Sequence, residues 1–572
     1  MKRYYIGLAT TFHDPALAIV AGDGTVLFAE ASERALQSKR AVNGEADPIA
    51  RTGALLKRYL DPDCEVVVAT SWDEPYTEFL ARSAAIGAFS VETLAGLPND
   101  LNRSLTPNRI ERALIGALHT QQERAGLGVV IGLSEAFGHA RVTLRRYPHH
   151  LTHATYASLS SPFEEAACLV VDGMGETGSA AIYRYRAGTL EEVRRYRGRE
   201  SVGFFFGLMT DLCGFDQGKG EEWKVMGLAP YGTRNPSLTD LLRRLFTVDR
   251  GAIVFPGEAE IADIVAQVKA RVTDARARAD LARAAQDVFE EMMMVYLEEA
   301  YRLVRSENLV LTGGCALNSA FNGKILGHTP FRALHVPSAP ADDGNALGAA
   351  LAAWRADHPS APAGGTLFSP YLGSPIDPEP LVRTAQWEPR LTQRGEAVIP
   401  AAVRLLAEGK LVGWVQGRAE FGPRALGNRS ILADPRPADA KDLINLKVKL
   451  REPFRPFAPA ILHEEGPSWF EDYQYSPYME RTLTWREEMR ARVPAVVHVD
   501  GTGRLQSVTR EMNPRFHALL EAFHRLTGVP ILLNTSFNVM GKPILHSADE
   551  ALLMLYTTGL DALVVDDWLL VK

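Results

Sequence analysis

The chain has 572 residues, of which 46% are hydrophobic and 23% charged, and a net charge of −7. That length exceeds a single hydrophobic core and predicts roughly two to four domains of a soluble globular protein. The acidic balance argues against a nucleic-acid-coating surface, and four scattered cysteines with no C-x-x-C pair exclude a zinc ribbon or a disulfide framework. The opening MKRYYIGLATTFHDP carries only a broken apolar run, and no run of about 18 apolar residues occurs, so neither a signal peptide nor a membrane span is expected. A cytoplasmic enzyme is the default.

Residues 4–31 read as strand, loop, strand, a tight turn at Gly22-Asp23-Gly24, and strand. His13 sits in the first loop beside Asp14, either as a base or contact for a substrate hydroxyl or as a simple turn contact. Glu33, Arg34, Lys39 and Arg40 follow on a short polar helix whose charges read as a solvated face. Residues 50–148 are the least informative. They hold amphipathic patterns such as IARTGALLKRYL and the Pro- and Asn-punctuated LPNDLNRSLTPNRIERAL, an insertion of the kind found on a cleft rim.

The stretch HHLTHATYASLSSPFEEAACLVVDGMGE, residues 149–176, carries more chemistry. His149 and His153 are four apart, so on a helix their imidazoles share a face and can grip one cation. The apolar run that follows is a buried strand stopped by Asp172, with Gly173 and Gly175 in a loop that a phosphate can approach closely. Residues 166–195 repeat the strand, loop, strand, hairpin scheme of 4–31 about 160 residues on, which predicts an internal duplication into two α/β lobes. By analogy of plan alone, this is the arrangement of actin-like ATPases and sugar kinases.

Lys224, in EEWKVMGLAPYG, reads equally as a phosphate contact or as a lysine snorkelling from a buried helix. Residues 278–306 form a long amphipathic helix whose Met292-Met293-Met294 run is core. NLVLTGGCALNSAFNGKI gives a strand, the Gly313-Gly314 pair and a helix beginning near Leu317, a setting for a base or ribose against bare backbone. In HVPSAPADDGNALGAALAA, Asp342 or Asp343 is either a helix N-cap or the third ligand for the two histidines. Two histidines with carboxylates suit Fe²⁺, Mn²⁺ or Zn²⁺ better than Mg²⁺.

The Pro/Gly/Ala-rich residues 358–380 are the best domain boundary. Beyond it, GKLVGWVQGRAEFGPRALGNRSILADPR is a strand followed by a loop dense in Gly and Arg. From Arg418 to Arg455 nine basic residues face five acidic ones, a local excess that implies an anion in an otherwise acidic chain. Arg504 in HVDGTGRLQSV, and Asn534, Ser536 and Asn538 in LLNTSFN, sit at strand ends and can line the same pocket.

These residues together resemble the O-carbamoyltransferase family, which includes nodulation-factor, cephamycin, ansamycin and aminoglycoside carbamoylation enzymes. The likeness covers essentially the whole chain, on EFGPRALGNRSILADPR, KLREPFRPFAPAIL, HVDGTGRLQSV, LLNTSFN, KVMGLAPYG, VDGMGE and HHLTH. It implies an actin-like ATPase (ASKHA) domain of duplicated α/β lobes over residues 1–360, similar to tRNA threonylcarbamoylation enzymes. A linker over 361–380 and a YrdC-like, carbamoyl-adenylate-forming α/β domain over 381–572 would follow. The implied reaction takes carbamoyl phosphate to carbamate, joins carbamate to ATP as carbamoyl-adenylate with loss of pyrophosphate, and passes the carbamoyl group to an acceptor hydroxyl, releasing AMP.

By the same resemblance, His149, His153, Asp172 and Asp342 are the metal ligands, with iron(II) as the ion and Mg²⁺ accompanying the nucleotide. Gly173, Gly175, Glu176, Gly313, Gly314 and Asn318 would line the nucleotide. Arg424, Arg429, Lys449, Arg451, Arg455, Arg504 and Asn534 would hold carbamoyl phosphate and the adenylate, and His13 and Lys39 also have family counterparts. The partners implied are carbamoyl phosphate, ATP and a hydroxylated small molecule, with no nucleic acid and no membrane; a homodimer is allowed. A tRNA-modifying threonylcarbamoyl transferase is the alternative, and the net charge speaks against it. A hydrogenase-maturation carbamoylation factor would carry paired cysteines, which are absent. A non-catalytic ATP-binding module would leave the arginine-rich half unexplained.

Overall fold

A computed structural model describes residues 1–11, 13–73, 121–176, 178–197, 200–362, 365–452 and 454–572. The Pro- and Asn-punctuated stretch at 97–114 lies outside the described residues. The chain forms two compact units: Met1–Glu33, Arg40–Leu317 and Leu326–Phe368 make the first, and Arg34–Lys39, Asn318–Ile325 and Ser369–Lys572 the second.

The first unit holds two five-stranded sheets of one topology. In one, the order is β3 (Val26–Ala31), β2 (Ala16–Ala21), β1 (Lys2–Ala9), β4 (Cys64–Thr70), β5 (Val142–Arg146). The first three are antiparallel neighbours, and β4 and β5 continue parallel to β1. The second sheet is built from β6 (Glu165–Val171), β7 (Gly178–Arg186) and β8 (Thr189–Arg197). After a two-stranded ribbon, β9 (Thr247–Asp249) and β10 (Ala252–Val254), the chain adds β11 (Asn308–Thr312) and β12 (Ala333–His335). Its order, β8-β7-β6-β11-β12, repeats the first sheet strand for strand, and β11 and β12 are again parallel. The duplicated lobes of the actin-like ATPase plan are therefore present in the strand order itself. Ala166–Val171 of β6 are buried throughout, the continuous apolar run of a strand covered on both faces.

Two helices set the geometry that matters. His149–Leu159 is buried along nearly its whole length and packs against the Ala-rich helix Gly344–Asp357. They cross so closely that a Cβ on Gly348 would lie 2.0 Å from the Thr152 carbonyl oxygen, which explains the small residues of GNALGAALAA. The 30-residue helix Ala275–Val304 buries Met292 and Met293 as core.

Several expectations are corrected. Arg34 does not sit on a solvated face: it is 2% exposed, and its Nη2 donates to the Gly422 carbonyl at 2.7 Å. The helix expected near Leu317 is instead a 3-10 turn, Gly314–Leu317, and a single turn, Ser319–Asn322. Neither reading of Lys224 is overturned: it is buried on the helix Glu222–Leu228 and paired with Glu221 at 2.7 Å. Among the described residues no helix is long and apolar enough to cross a membrane.

The second unit is organised on one mixed nine-stranded sheet. Its strands are β13 (Thr392–Gln393), β14 (Val412–Val415), β15 (Arg429–Ala433), β16 (Ala458–Leu462), β17 (Arg481–Thr484), β18 (Thr502–Val508), β19 (Ile531–Ser536), β20 (Ala562–Val565) and β21 (Trp568–Val571). The order is β13-β21-β20-β14-β15-β19-β16-β18-β17. The Gly/Arg-rich loop runs between β14 and β15, so Arg429, expected within the loop, opens a strand.

One buried acid gives the first unit a pH signature. Asp47 reaches across 82 residues to accept the Val129 amide at 3.1 Å in the first turn of the helix Leu127–Phe137, whose own N-cap is Gly126. Burial raises its pKa to about 6 against its hydrogen bonds. Because the folded form holds the proton more tightly than the unfolded one, stability falls as pH rises from about 4 through about 6, by at most about 3 kcal/mol. Asp47→Asn keeps an acceptor oxygen, so urea unfolding across pH 4–8 is expected to lose that decline.

Candidate functional site

His149 and His153 project from one helix face, Asp172 follows the end of β6, and Asp342 lies just before the Gly344–Asp357 helix. The fold brings all four into one buried cluster whose ligand atoms lie within 4.8 Å of one another. His149 Nε2 is 3.0 Å from Asp172 Oδ2 and 3.4 Å from Asp342 Oδ1. His153 Nε2 is 3.2 Å from His149 Nε2, 3.5 Å from Asp172 Oδ2 and 3.4 Å from Asp342 Oδ1. Donors bound at about 2.1 Å around one ion lie about 3.0–3.4 Å apart for octahedral to tetrahedral angles, so the spacing fits a metal cage.

The electrostatics agree. Burial opposes charge on His149, yet Asp342 and Asp172 raise its pKa well above the ordinary value; His153 is raised by the same carboxylates. Burial likewise opposes ionisation of Asp172, but the two histidines hold it well below the carboxylate range. Two carboxylates this deep call for positive charge, which a divalent cation would provide. Asp172 is oriented from behind, because its Oδ1 accepts the Gly314 amide at 3.1 Å. Asp343, the rival candidate, caps the Gly344 amide at 3.1 Å. Gly313 adopts φ +90, and a Cβ there would meet the Val171 carbonyl oxygen at 2.3 Å.

Glu176, expected at the nucleotide, is placed otherwise. Its two carboxylate oxygens accept the His149 amide at 2.9 and 3.1 Å, and Oε1 also accepts the Asp73 amide at 3.3 Å. The histidine helix has no side-chain cap of its own, so this carboxylate, carried by the loop after Asp172, supplies one. Glu176→Ala is expected to cost about 1–2 kcal/mol in chemical denaturation, and Glu176→Gln less, because its amide oxygen still accepts.

His13 lies against the cluster, its Nδ1 2.9 Å from Asp14 Oδ2 and 3.6 Å from Asp342 Oδ2. Sequence reasoning overlooked what holds Asp14. Its amide donates to the Arg40 carbonyl at 2.7 Å, and Arg40 Nε lies 3.3 Å from its carboxylate. Lys39 and Asn318 belong to the second unit, where Asn318 caps its own short helix turn by accepting the Phe321 amide at 3.1 Å.

The second unit gathers five of the expected cations. Burial, then the fields of Arg424 and Arg451, push Arg504 well below the guanidinium range. Burial lowers Arg424 to about 10, and burial with Arg455 lowers Arg451 to about 9. Lys449 is depressed by burial, Arg451 and Arg455. Its Nζ donates to the Ser536 carbonyl, and to Asn538 Oδ1 at 2.7 Å. Arg455 pairs with Glu452 at 3.2 Å. A part-buried collection of like charges of this kind favours a bound anion.

The loop that carries Arg424 is held at many points. Glu420 Oε1 accepts the amides of Leu426, Asn428 and Arg429 at 2.7, 2.7 and 3.1 Å. Arg429 is not a ligand-facing residue: wholly buried, its guanidinium donates to the carbonyls of Gln416, Asn428, Ser374 and Gly417 at 2.9–3.2 Å. Asn534 Nδ2 donates to Gln506 Oε1 at 2.9 Å and to the Ala425 carbonyl at 3.2 Å. Glu420 and Gln506 were not singled out from sequence; Glu420 acts on amides of its own loop, and Gln506 through partners distant along the chain at Asn534 and Leu426.

Comparison with known proteins follows from these parts. Residues 4–351 match the family described as Carbamoyltransferase N-terminus, and residues 403–572 that described as Carbamoyltransferase C-terminus. Nodulation protein NolNO of Sinorhizobium fredii is 37% identical over 74% of this chain, which spans 63% of that protein, under two thirds of its length. Nodulation protein NolO of Bradyrhizobium diazoefficiens is 36% identical over 74% of this chain and 78% of its own. An uncharacterized protein of Synechocystis, sll1178, is 31% identical over 100% of this chain and 97% of its own.

Proposed function

This chain belongs to the carbamoyltransferase family, and from that premise we propose that it is an ATP-dependent O-carbamoyltransferase acting on a hydroxylated small molecule. The observation that carries the reading is the cluster of buried Lys449 with half-buried Arg424, Arg451 and Arg504, whose charge is disfavoured by lost solvent and, for all but Arg424, by neighbouring cations. Carbamoyl phosphate brings the phosphate charge this cluster lacks. Hydrolysis of its carbamoyl–phosphate bond leaves carbamate and phosphate. Attack of a carbamate oxygen on the α-phosphorus of ATP forms carbamoyl-adenylate and expels pyrophosphate. The acceptor hydroxyl then attacks the carbamoyl carbon, its proton departs, and AMP leaves.

The residues divide the work by charge. Arg424, Lys449, Arg451, Arg455 and Arg504 neutralise carbamoyl phosphate and the adenylate, Arg424 from a loop held by Glu420 and Arg429 and the others from outside it. His149, His153, Asp172 and Asp342 hold a divalent cation, iron(II) or else Mn²⁺ or Zn²⁺, which when bound would offset the nucleotide's phosphate charge. Gly173 and Gly314 leave backbone open to that nucleotide, Gly175 and Gly313 letting the loops pack closely behind them on His150 and the Val171 carbonyl, and Mg²⁺ accompanies it. His13, oriented by Asp14, contacts or deprotonates the acceptor hydroxyl.

The test is incubation with ATP, Fe²⁺, carbamoyl phosphate and a library of hydroxylated metabolites, followed by mass spectrometry. AMP and pyrophosphate formed only with carbamoyl phosphate present, and an acceptor gaining one carbamoyl group, are expected. ATP cleaved to ADP, or a carbamoylated tRNA in a parallel reaction, would overturn the proposal.

A further inference from the structure

Asn345 is wholly buried on the first turn of the Gly344–Asp357 helix, three residues after Asp342. Its carboxamide nitrogen lies 3.0 Å from His153 Nε2 and 3.4 Å from His149 Nδ1, while its oxygen has no hydrogen-bond partner among the described residues. That arrangement suits only an imidazole whose Nε2 lone pair is available to accept. Once a cation takes the lone pair of His153 Nε2, the amide nitrogen has nothing there to donate to. A half-turn of the carboxamide then brings the oxygen to where the nitrogen stands, beside His153 Nε2 and His149 Nδ1. Two donors at right angles about one ion, with bonds of about 2.1 Å, stand about 3.0 Å apart.

We infer that Asn345 is a fifth protein donor to the metal cage, its side-chain oxygen joining His149, His153, Asp172 and Asp342. This rests on the metal reading of the cluster proposed above. Five donors on a six-coordinate ion leave one position for a water or a phosphate oxygen. The site therefore selects Fe²⁺, Mn²⁺ or Co²⁺, which accept six ligands, over Zn²⁺ in its usual four-coordinate form.

The experiment titrates the metal-free 572-residue chain with Co²⁺, with no substrate present, and records affinity and visible absorption. The wild type should show the weak bands of five- or six-coordinate cobalt. Asn345→Ala should bind about 10–100-fold more weakly, with the band intensity rising as the coordination number drops. Asn345→Asp keeps an oxygen donor and should retain the weak bands and at least wild-type affinity, and it decides the matter if the alanine variant does not fold. An alanine variant with wild-type spectrum and affinity would overturn the assignment, as would an aspartate variant with strong four-coordinate bands. Wild-type protein that binds Co²⁺ no better than His153→Ala would instead overturn the metal reading itself.

Discussion

Replacing His153 by alanine is expected to abolish tight divalent-metal binding and slow carbamoyl transfer by about 10³-fold or more. Removing one imidazole leaves a single buried histidine against two carboxylates, so the remaining ligand set holds a cation poorly and the metal-free cluster carries uncompensated charge. Charge neutralisation by a bound metal is worth several kcal/mol in such reactions, and each 1.36 kcal/mol is about tenfold in rate. Asp342→Asn tests the carboxylate side. It keeps both imidazoles but removes the carboxylate that, against burial and the field of Asp172, they hold ionised in the metal-free cluster, so its thermal stability without metal should fall below wild type at pH 7 while its metal affinity also falls. Metal titration by calorimetry, with transfer rates at saturating Fe²⁺, checks both. A His153→Ala protein retaining wild-type turnover would place the chemistry away from this cluster.

Local pattern carried part of this site and could not have carried all of it. His149 and His153 are four residues apart, and Asp172 follows a short apolar strand; both signals are complete within a few residues, and the fold joins them. Local pattern left Asp342 and Asp343 open because either suits a helix start; the resemblance favoured Asp342, and the fold sets Asp342 beside the histidines with Asp343 at the cap. Glu176 and Arg34 resisted reading for a different reason. Each looks like an ordinary polar residue until its partner is known, and the partners lie 27 residues back at the His149 amide and 388 residues on at the Gly422 carbonyl. Arg429 was misjudged because an arginine among glycines and prolines looks the same whether it faces a phosphate or four carbonyls of its own chain. The duplication, by contrast, was legible in the three antiparallel strands that open each sheet, which short connections join, whereas the parallel strands pair across distant chain.

Arg504 should trade stability against function in a way that identifies an anion site. Its Nε has no hydrogen-bond partner among the described residues, and burial with the fields of Arg424 and Arg451 disfavours its charge. The sign follows. A base whose folded pKa is depressed destabilises the fold while charged, and the penalty fades only as pH rises through that depressed value. Arg504→Met keeps the apolar length of the side chain and removes the charge, so the free protein should melt at a higher temperature than wild type at pH 7. Inorganic phosphate or carbamoyl phosphate, which binds the folded form only, should raise the wild-type melting temperature and leave that of the variant nearly unmoved. Turnover should show the other side of the exchange. A charge-assisted hydrogen bond contributes about 1.5–3 kcal/mol, so KM for carbamoyl phosphate should rise about 10–100-fold while KM for ATP changes far less. If Arg504→Met lowered the melting temperature and left the phosphate shift intact, these cations would be holding the fold together instead of waiting for a substrate.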